Sequence, residues 1–126
     1  MKKEAKHQVL LNQYLREKRL YGYYELKQTD KDTFYFTNLE KHQYEGLQAT
    51  EKEGLVWKLS DEDQRQKPCD TFCSPPLPSF VVIKFRDGFY FINIKKIVEL
   101  RENNSLGITL SQAKEIAERI VRQKRT

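Results

Sequence analysis

Glu25 and Lys27 are a carboxylate and an amine two residues apart, in the aromatic and apolar segment Tyr23–Gln28. That composition is typical of a β-strand, and residues two apart on a strand point to the same face. Burying a carboxylate and an amine costs free energy unless each has a partner. The pair therefore favours a role in binding a metal ion or a phosphate. The alternative is an edge strand on which both side chains face solvent and pair weakly.

The composition limits what the chain can be. Its 126 residues suit one domain with a single core, spanning residues 1–126, and a 12% aromatic content argues against a disordered chain. No apolar run reaches the ~18 residues of a membrane span, and the N-terminus lacks the apolar core of a signal peptide. We therefore expect a cytoplasmic or nuclear protein without a membrane partner. Cys69 and Cys73 have no second Cys or His pair at ligand spacing, which disfavours zinc.

The formal net charge is +5, and basic residues crowd toward both ends of the chain. This balance favours a polyanionic partner, with nucleic acid first and an anionic membrane surface second. A plain interaction domain with lysine-rich surface helices would give a similar count. The terminal basic residues are Lys2, Lys3, Lys6, Arg119, Arg122, Lys124 and Arg125.

Apolar periodicity predicts a helix from Lys3 to about Arg19, ahead of the Glu-x-Lys strand. Glu4 opens this helix, where an acid suits the helix dipole. After the strand, a polar turn and the aromatic run Phe34–Phe36 lead to a second predicted helix, Leu39 to Glu53, with Asn38 as its N-cap. The apolar stripe of the first helix comprises Ala5, Val9, Leu11, Tyr14 and Leu15.

The second half of the chain predicts mainly strands. The near-continuous apolar run Ser79–Phe85 is typical of a strand covered on both faces, and Asp87-Gly88 indicates a hairpin to its partner. A last helix begins after the cap Thr109, with an apolar stripe that extends to Val121. This order predicts an α/β fold with a mixed sheet and helices on its faces. The predicted strands are Leu55–Leu59, Pro68–Cys73, Ser79–Phe85 and Phe89–Ile94.

The Glu-x-Lys segment Glu25–Thr29, the aromatic run and a helix bearing His42-Gln43 together resemble the Holliday junction resolvase branch of the PD-(D/E)XK nuclease superfamily. The likeness covers roughly residues 3–95 and is closest to small phage-type members. It implies a restriction-endonuclease-like mixed β-sheet flanked by helices on both faces. It further implies a Mg²⁺- or Mn²⁺-dependent endonuclease that hydrolyses DNA, with branched, Holliday-junction-like DNA as a candidate substrate. For a phage-encoded member, the location would be the host-cell cytoplasm.

The chain departs from the superfamily pattern at one point. An aspartate is expected on a strand before the Glu-x-Lys strand, yet only the first helix precedes Glu25. Asp70, which follows Pro68 at the start of a predicted strand, is the best substitute if a displaced hairpin lies beside Glu25. Asp70 and Glu25 would then bind the metal, with Lys27, or alternatively Lys84, as the catalytic amine. If Asp70 is instead a turn acid that points away, the chain is a non-catalytic module that binds nucleic acid or protein.

The resemblance implies secondary roles as well. Gln43 would contact a metal-bound water or a phosphate, and Glu4 would add an outer ligand, although both also suit ordinary helix positions. Resolvase-like enzymes act on two equivalent strands, so we expect a C2 homodimer. Tyr14 and Phe34–Phe36 are candidates for its interface, with core packing as the alternative. The lysines predicted to contact DNA phosphates are Lys3, Lys6, Lys31, Lys41 and Lys67.

Overall fold

The computed structural model describes residues 3–58 and 70–123, with side chains from residue 5 onward. The helices are α1 (Lys3–Lys18), α2 (Lys41–Glu53), α3 (Ile94–Glu102) and α4 (Leu110–Ile116), and a 3₁₀ helix spans Phe36–Asn38. The strands are β1 (Tyr23–Gln28), β2 (Thr33–Tyr35), β3 (Leu55–Lys58), β4 (Thr71–Ser74), β5 (Ser79–Phe85), β6 (Gly88–Asn93), β7 (Gly107–Thr109) and β8 (Arg119–Arg122).

The main sheet has the strand order β1-β5-β6-β8. β5 runs parallel to β1 and antiparallel to β6, and β8 pairs antiparallel with the other side of β6. Every residue of β5 is buried, as its apolar run predicted. A Cβ at Gly88 would collide with the carbonyl oxygen of Val121, so β8 can approach the hairpin only because residue 88 is glycine.

Helices cover both faces of this sheet. α1 packs Leu11 against one face, which is formed by residues such as Leu26 and Val82. The other face, which includes Val81 and Ile83, is covered by α2, α3 and α4. The predicted α/β fold, a mixed sheet with helices on its faces, is confirmed. The helical residues buried on the second face are Leu47, Ile94, Ile97 and Ala113.

The start of α2 differs from the prediction. Residues Phe36–Asn38 form the 3₁₀ helix, so Asn38 is not the N-cap. The helix begins at Lys41 instead, and Glu40 is its N-cap. The 3₁₀ turn is favoured because it buries Phe36, and the residue that follows it, Leu39, is buried as well. The predicted end is confirmed, with Gly54 as C-cap at a positive φ of 82°.

The predicted last helix is too long. α4 stops at Ile116, and Ala117 adopts an extended conformation. Ile120 and Val121 then lie on β8, opposite Tyr90 and Phe89 of β6. Their apolar side chains fit a helical stripe equally well, but on the strand they complete the backbone hydrogen bonds of β6, which would otherwise form a sheet edge.

Two small antiparallel sheets accompany the main one. In the first, β3 pairs with β4, so the two strands predicted around Leu55 and Cys73 pair with each other and not with the main sheet. The predicted ends Leu59 and Pro68–Cys69 lie outside the described residues. In the second, β2 pairs with β7, and neither segment was predicted to be a strand.

A buried tyrosine links the β5–β6 turn to the edge of the sheet. The Tyr90 hydroxyl is on a fully buried side chain and donates to Asp87 Oδ1 and Oδ2, at 3.0 and 2.9 Å. Burial is the larger cause of the raised pKa of the Tyr90 hydroxyl, and the hydrogen bond to Asp87 raises this pKa further. Arg122 of β8 also donates to Asp87 Oδ2, at 3.0 Å. Asp87 therefore joins the turn, the core and β8.

We predict that Asp87→Ala lowers the free energy of unfolding by about 1–3 kcal/mol, because the buried Tyr90 hydroxyl loses its acceptor. Tyr90→Phe should cost less, since it removes the hydroxyl and leaves a partly exposed Asp87 that water can solvate. Urea denaturation of both variants tests this. An Asp87→Ala variant that is no less stable than Tyr90→Phe would contradict it.

Candidate functional site

Glu25 and Lys27 point to the same face of the sheet, the one covered by α2. Leu26 between them points to the α1 face, as strand alternation requires. Lys27 Nζ lies 3.7 Å from Glu25 Oε1, and the two side chains are 18% and 31% exposed, respectively. β1 is at the edge of the described sheet, but this pair is mostly covered. The prediction that Glu25 and Lys27 share one face is confirmed. The alternative, in which both side chains face solvent, does not fit their low exposure.

Gln43, the third residue of α2, connects this pair to the start of the helix. Its Oε1 accepts from the backbone N–H of Glu40 at 3.1 Å, which is half of a capping box. Its Nε2 donates to Glu25 Oε1 at 2.7 Å. Because Oε1 is committed to a backbone donor, the amide can present only its NH₂ group to the carboxylate. The capping box therefore fixes both the helix start and the orientation of the Gln43 side chain.

The Glu25 carboxylate uses its two oxygens unequally. Both Gln43 and Lys27 contact Oε1, and Oε2 accepts no hydrogen bond from the residues that the structure describes. Carboxylate oxygens are the ligands that Mg²⁺ prefers, and Mg²⁺ is often held by one or two carboxylates together with substrate phosphates. Glu25 fits such a site. Residues 3–58 and 70–123 contain no group of three or more His, Cys, Asp or Glu side chains that could hold a metal ion.

Asp70 lies beside a different sheet from the one that contains Glu25. Asp70 is exposed and lies immediately before β4, which pairs with β3. β4 approaches β1 at its other end, where the Tyr23 hydroxyl donates to Ser74 Oγ at 2.8 Å. An extended chain covers about 13 Å between residues 70 and 74. Within the described residues, Asp70 is not among the side chains that contact Glu25.

Lys84 lies on the opposite face of the sheet from Glu25. It is buried, stands beside Gln28 in the register, and places Nζ 5.9 Å from the centroid of the Phe89 ring. Its Nζ also donates to the carbonyl oxygen of Phe85. The sheet therefore lies between Lys84 and Glu25, and this placement does not support Lys84 as the alternative amine, which stays a prediction. Strand alternation explains this, since residue 84 is in register with residue 28 and not with residue 27.

The other predicted site residues that the structure describes lie on α1, on α2 and in the β1–β2 turn. His42 is exposed and lies with Nδ1 3.2 Å from Glu40 Oε2, away from Glu25. Lys6, Lys31 and Lys41 are exposed, on α1, the β1–β2 turn and α2. Lys6 and Lys41 are thus on helices that cover opposite faces of the sheet, and the predicted DNA contacts stay a prediction. The side chains of Lys3, Glu4 and Lys67 lie outside the part of the chain that the structure describes.

The aromatic residues considered for a dimer interface are mostly in the core. Phe34 and Phe36 are buried. Tyr14 packs against Phe91 with ring centroids 6.1 Å apart, and Arg119 donates to its hydroxyl at 2.9 Å. The alternative of core packing accounts for these three residues. The homodimer stays a prediction.

Two features of the site were missed in the sequence. Glu40 is the capping partner of Gln43, and the Glu-x-x-Gln spacing at residues 40–43 was an available signal for it. Arg101 stacks on Tyr44 of α2. No local pattern indicates that contact, because it depends on how α3 packs beside α2.

No protein-family model matches the chain, and no curated protein matches it. Among residues 3–58 and 70–123, no helix has both the length and the apolar character needed to cross a bilayer. The likeness to the resolvase branch rests on the motif residues and their order along the chain.

We predict that Gln43→Ala lowers the free energy of unfolding by about 1 kcal/mol more than Gln112→Ala. Gln112 is the matched control because it has the same place in the capping box of α4, where its Oε1 accepts from Thr109 N at 2.9 Å. Both variants lose a cap, but only Gln43→Ala also loses a hydrogen bond to a carboxylate. Urea denaturation measures the difference.

A double-mutant cycle isolates the contact between Gln43 and Glu25. Combining Gln43→Ala with Glu25→Ala should give a coupling energy of about 1 kcal/mol. A coupling energy near zero would mean that the hydrogen bond contributes nothing to stability.

Proposed function

We propose that this chain is a metal-dependent DNA endonuclease of the PD-(D/E)XK type that hydrolyses phosphodiester bonds. The observation that carries the proposal is the Glu25 carboxylate, held by Gln43 and Lys27 on the covered face of β1. The order of elements supports it, since a helix and an antiparallel pair of strands follow the Glu-x-Lys strand. Branched DNA is the proposed substrate, and a C2 dimer is the assembly that two equivalent strands would require.

Each residue of the site has a definite task in such a reaction. Glu25 would hold Mg²⁺ or Mn²⁺, with Asp70 as the second ligand that the resemblance implies. When bound, the ion supplies charge neutralisation at the phosphate and lowers the pKa of a bound water. Lys27 offers a mobile ammonium group that offsets negative charge on the phosphate and orients the attacking water. Gln43 occupies Oε1 of Glu25 and so restrains rotation of the carboxylate.

The second candidate function is a non-catalytic module of the same fold that binds nucleic acid or protein. The position of Asp70 favours it, because Asp70 immediately precedes β4 of the β3–β4 sheet, whereas Glu25 is on the main sheet. Such a module would keep the charge and the surface of the protein but lack a second metal ligand. The two functions differ in whether DNA is cut.

We predict that Glu25→Gln lowers metal-dependent DNA cleavage by about 100-fold or more, with the fold retained, because the amide cannot replace a charged metal ligand. Lys27→Met should have an effect of similar size. Glu115→Gln is the control, since Glu115 is an exposed acid on α4. The measurement is cleavage of labelled linear, flapped and four-way DNA with Mg²⁺, Mn²⁺ or EDTA.

The outcomes separate the two functions. Cleavage that survives Glu25→Gln would contradict the proposed site. DNA binding by the wild type without cleavage of any of these substrates would favour the non-catalytic module. Asp70→Asn tests the second ligand, because unchanged cleavage and unchanged Mn²⁺ binding by calorimetry in the presence of DNA would remove Asp70 from the site.

A further inference from the structure

A groove of about 770 Å³ lies between the start of α2, the 3₁₀ segment and the loop from α3 to β7. It is lined by charged, aromatic and small polar side chains, and it opens on the side of the molecule where α2 covers the sheet. The residues that matter for the argument are Tyr35, Lys41, Tyr44, Arg101 and Leu106.

Arg101 is held in this groove by aromatic rings. Its guanidinium carbon lies 4.3 Å from the centroid of the Tyr44 ring and 5.8 Å from that of Phe36. Stacking of this kind orients the flat face of the guanidinium and leaves its N–H groups available. Within the described residues, the Arg101 side chain has no hydrogen-bond or ion-pair partner. A cation fixed in place with unused donors is suited to a phosphate, which a guanidinium can bind through two hydrogen bonds.

The rest of the groove suits a nucleotide chain. Lys41 supplies a second cation, and its side chain is 87% exposed. Its Nζ lies 3.7 Å from Glu45 Oε1. Because water screens such a surface pair, the pair is weak and leaves Lys41 able to bind a phosphate. Tyr35 is 47% exposed and Leu106 is 79% exposed, although both are large hydrophobic residues. An exposed aromatic ring beside basic side chains is the arrangement on which unpaired bases stack while their phosphates are bound. In a duplex, the bases are already stacked on each other and cannot use such a ring.

The groove and the candidate catalytic site use different faces of the first turn of α2. Lys41 and Tyr44, three residues apart, share the face that lines the groove. Gln43 points away from that face and contacts Glu25.

We infer that this groove binds a single-stranded segment of nucleic acid, with phosphates on Arg101 and Lys41 and a base against Tyr35. The inference rests on the proposed function for the kind of ligand, but it does not depend on cleavage. It assigns an unpaired segment to the substrate, which a single-stranded flap provides and a blunt duplex does not.

Fluorescence anisotropy in EDTA, where no metal-dependent cleavage occurs, tests the inference with a labelled oligonucleotide and the blunt duplex of the same sequence. We expect the single strand to bind more tightly than the duplex. Arg101→Gln and Tyr35→Ala should each weaken its binding by about tenfold. Arg16→Gln is the matched control, since it removes the same charge from an exposed position on α1, across the sheet. Arg101→Lys, which keeps the charge but loses the planar group, should still bind more weakly than Arg16→Gln.

Three results would overturn the inference. Equal binding by Arg101→Gln, Tyr35→Ala and Arg16→Gln, with a wild type that binds DNA, would remove the groove but leave the proposed nuclease intact. Tighter binding of the duplex would remove the single-strand assignment. Binding of a polyglutamate peptide that depends on Arg101, without DNA binding, would identify an acidic protein as the ligand. Circular dichroism of each variant checks that its fold is retained.

Loss of the proposed function has a different signature. If Arg101→Gln weakens single-strand binding while neither wild type nor Glu25→Gln cleaves DNA, the groove is supported and the nuclease is not. A wild type that binds no nucleic acid would overturn both.

Discussion

The hydrogen bond from Gln43 to Glu25 is the interaction on which the arrangement of the site depends. It joins the first turn of α2 to the edge strand of the main sheet, and the capping box with Glu40 decides which end of the amide faces the carboxylate. A carboxylate on a covered face requires such a partner, because burial without one is costly. The capping box also fixes the start of α2, the helix on which Tyr44 contacts Arg101.

Strong local patterns allowed much of the fold to be predicted. The bounds of β1 and β5 were predicted correctly, because each is an apolar or aromatic run between residues that break strands. Thr109 was correctly predicted to cap α4. The errors came where two structures compete for the same residues. Ile120 and Val121 suit either a helix or a strand, and the open side of β6 selected the strand.

The candidate site was only partly predictable for a related reason. Alternation along one strand is a local property, so the shared face of Glu25 and Lys27 followed from the sequence. The position of Asp70 relative to Glu25, and of Lys84 relative to Lys27, depends on sheet order and register, which no local pattern contains. The stacking of Arg101 on Tyr44 likewise depends on the packing of α3 beside α2.

The parallel pairing of β1 with β5 has a consequence for the order of folding. The β5–β6 hairpin is closed by a short local turn, whereas the pairing of Glu25 with Val81 must close a long loop that contains α2 and the β3–β4 sheet. Closing a long loop costs entropy before its contacts form, so non-local pairs tend to form later than hairpins. We therefore expect the Glu25–Lys27 face to assemble after the hairpin core. Substitutions on β1 should mainly accelerate unfolding, and those in the hairpin should slow folding.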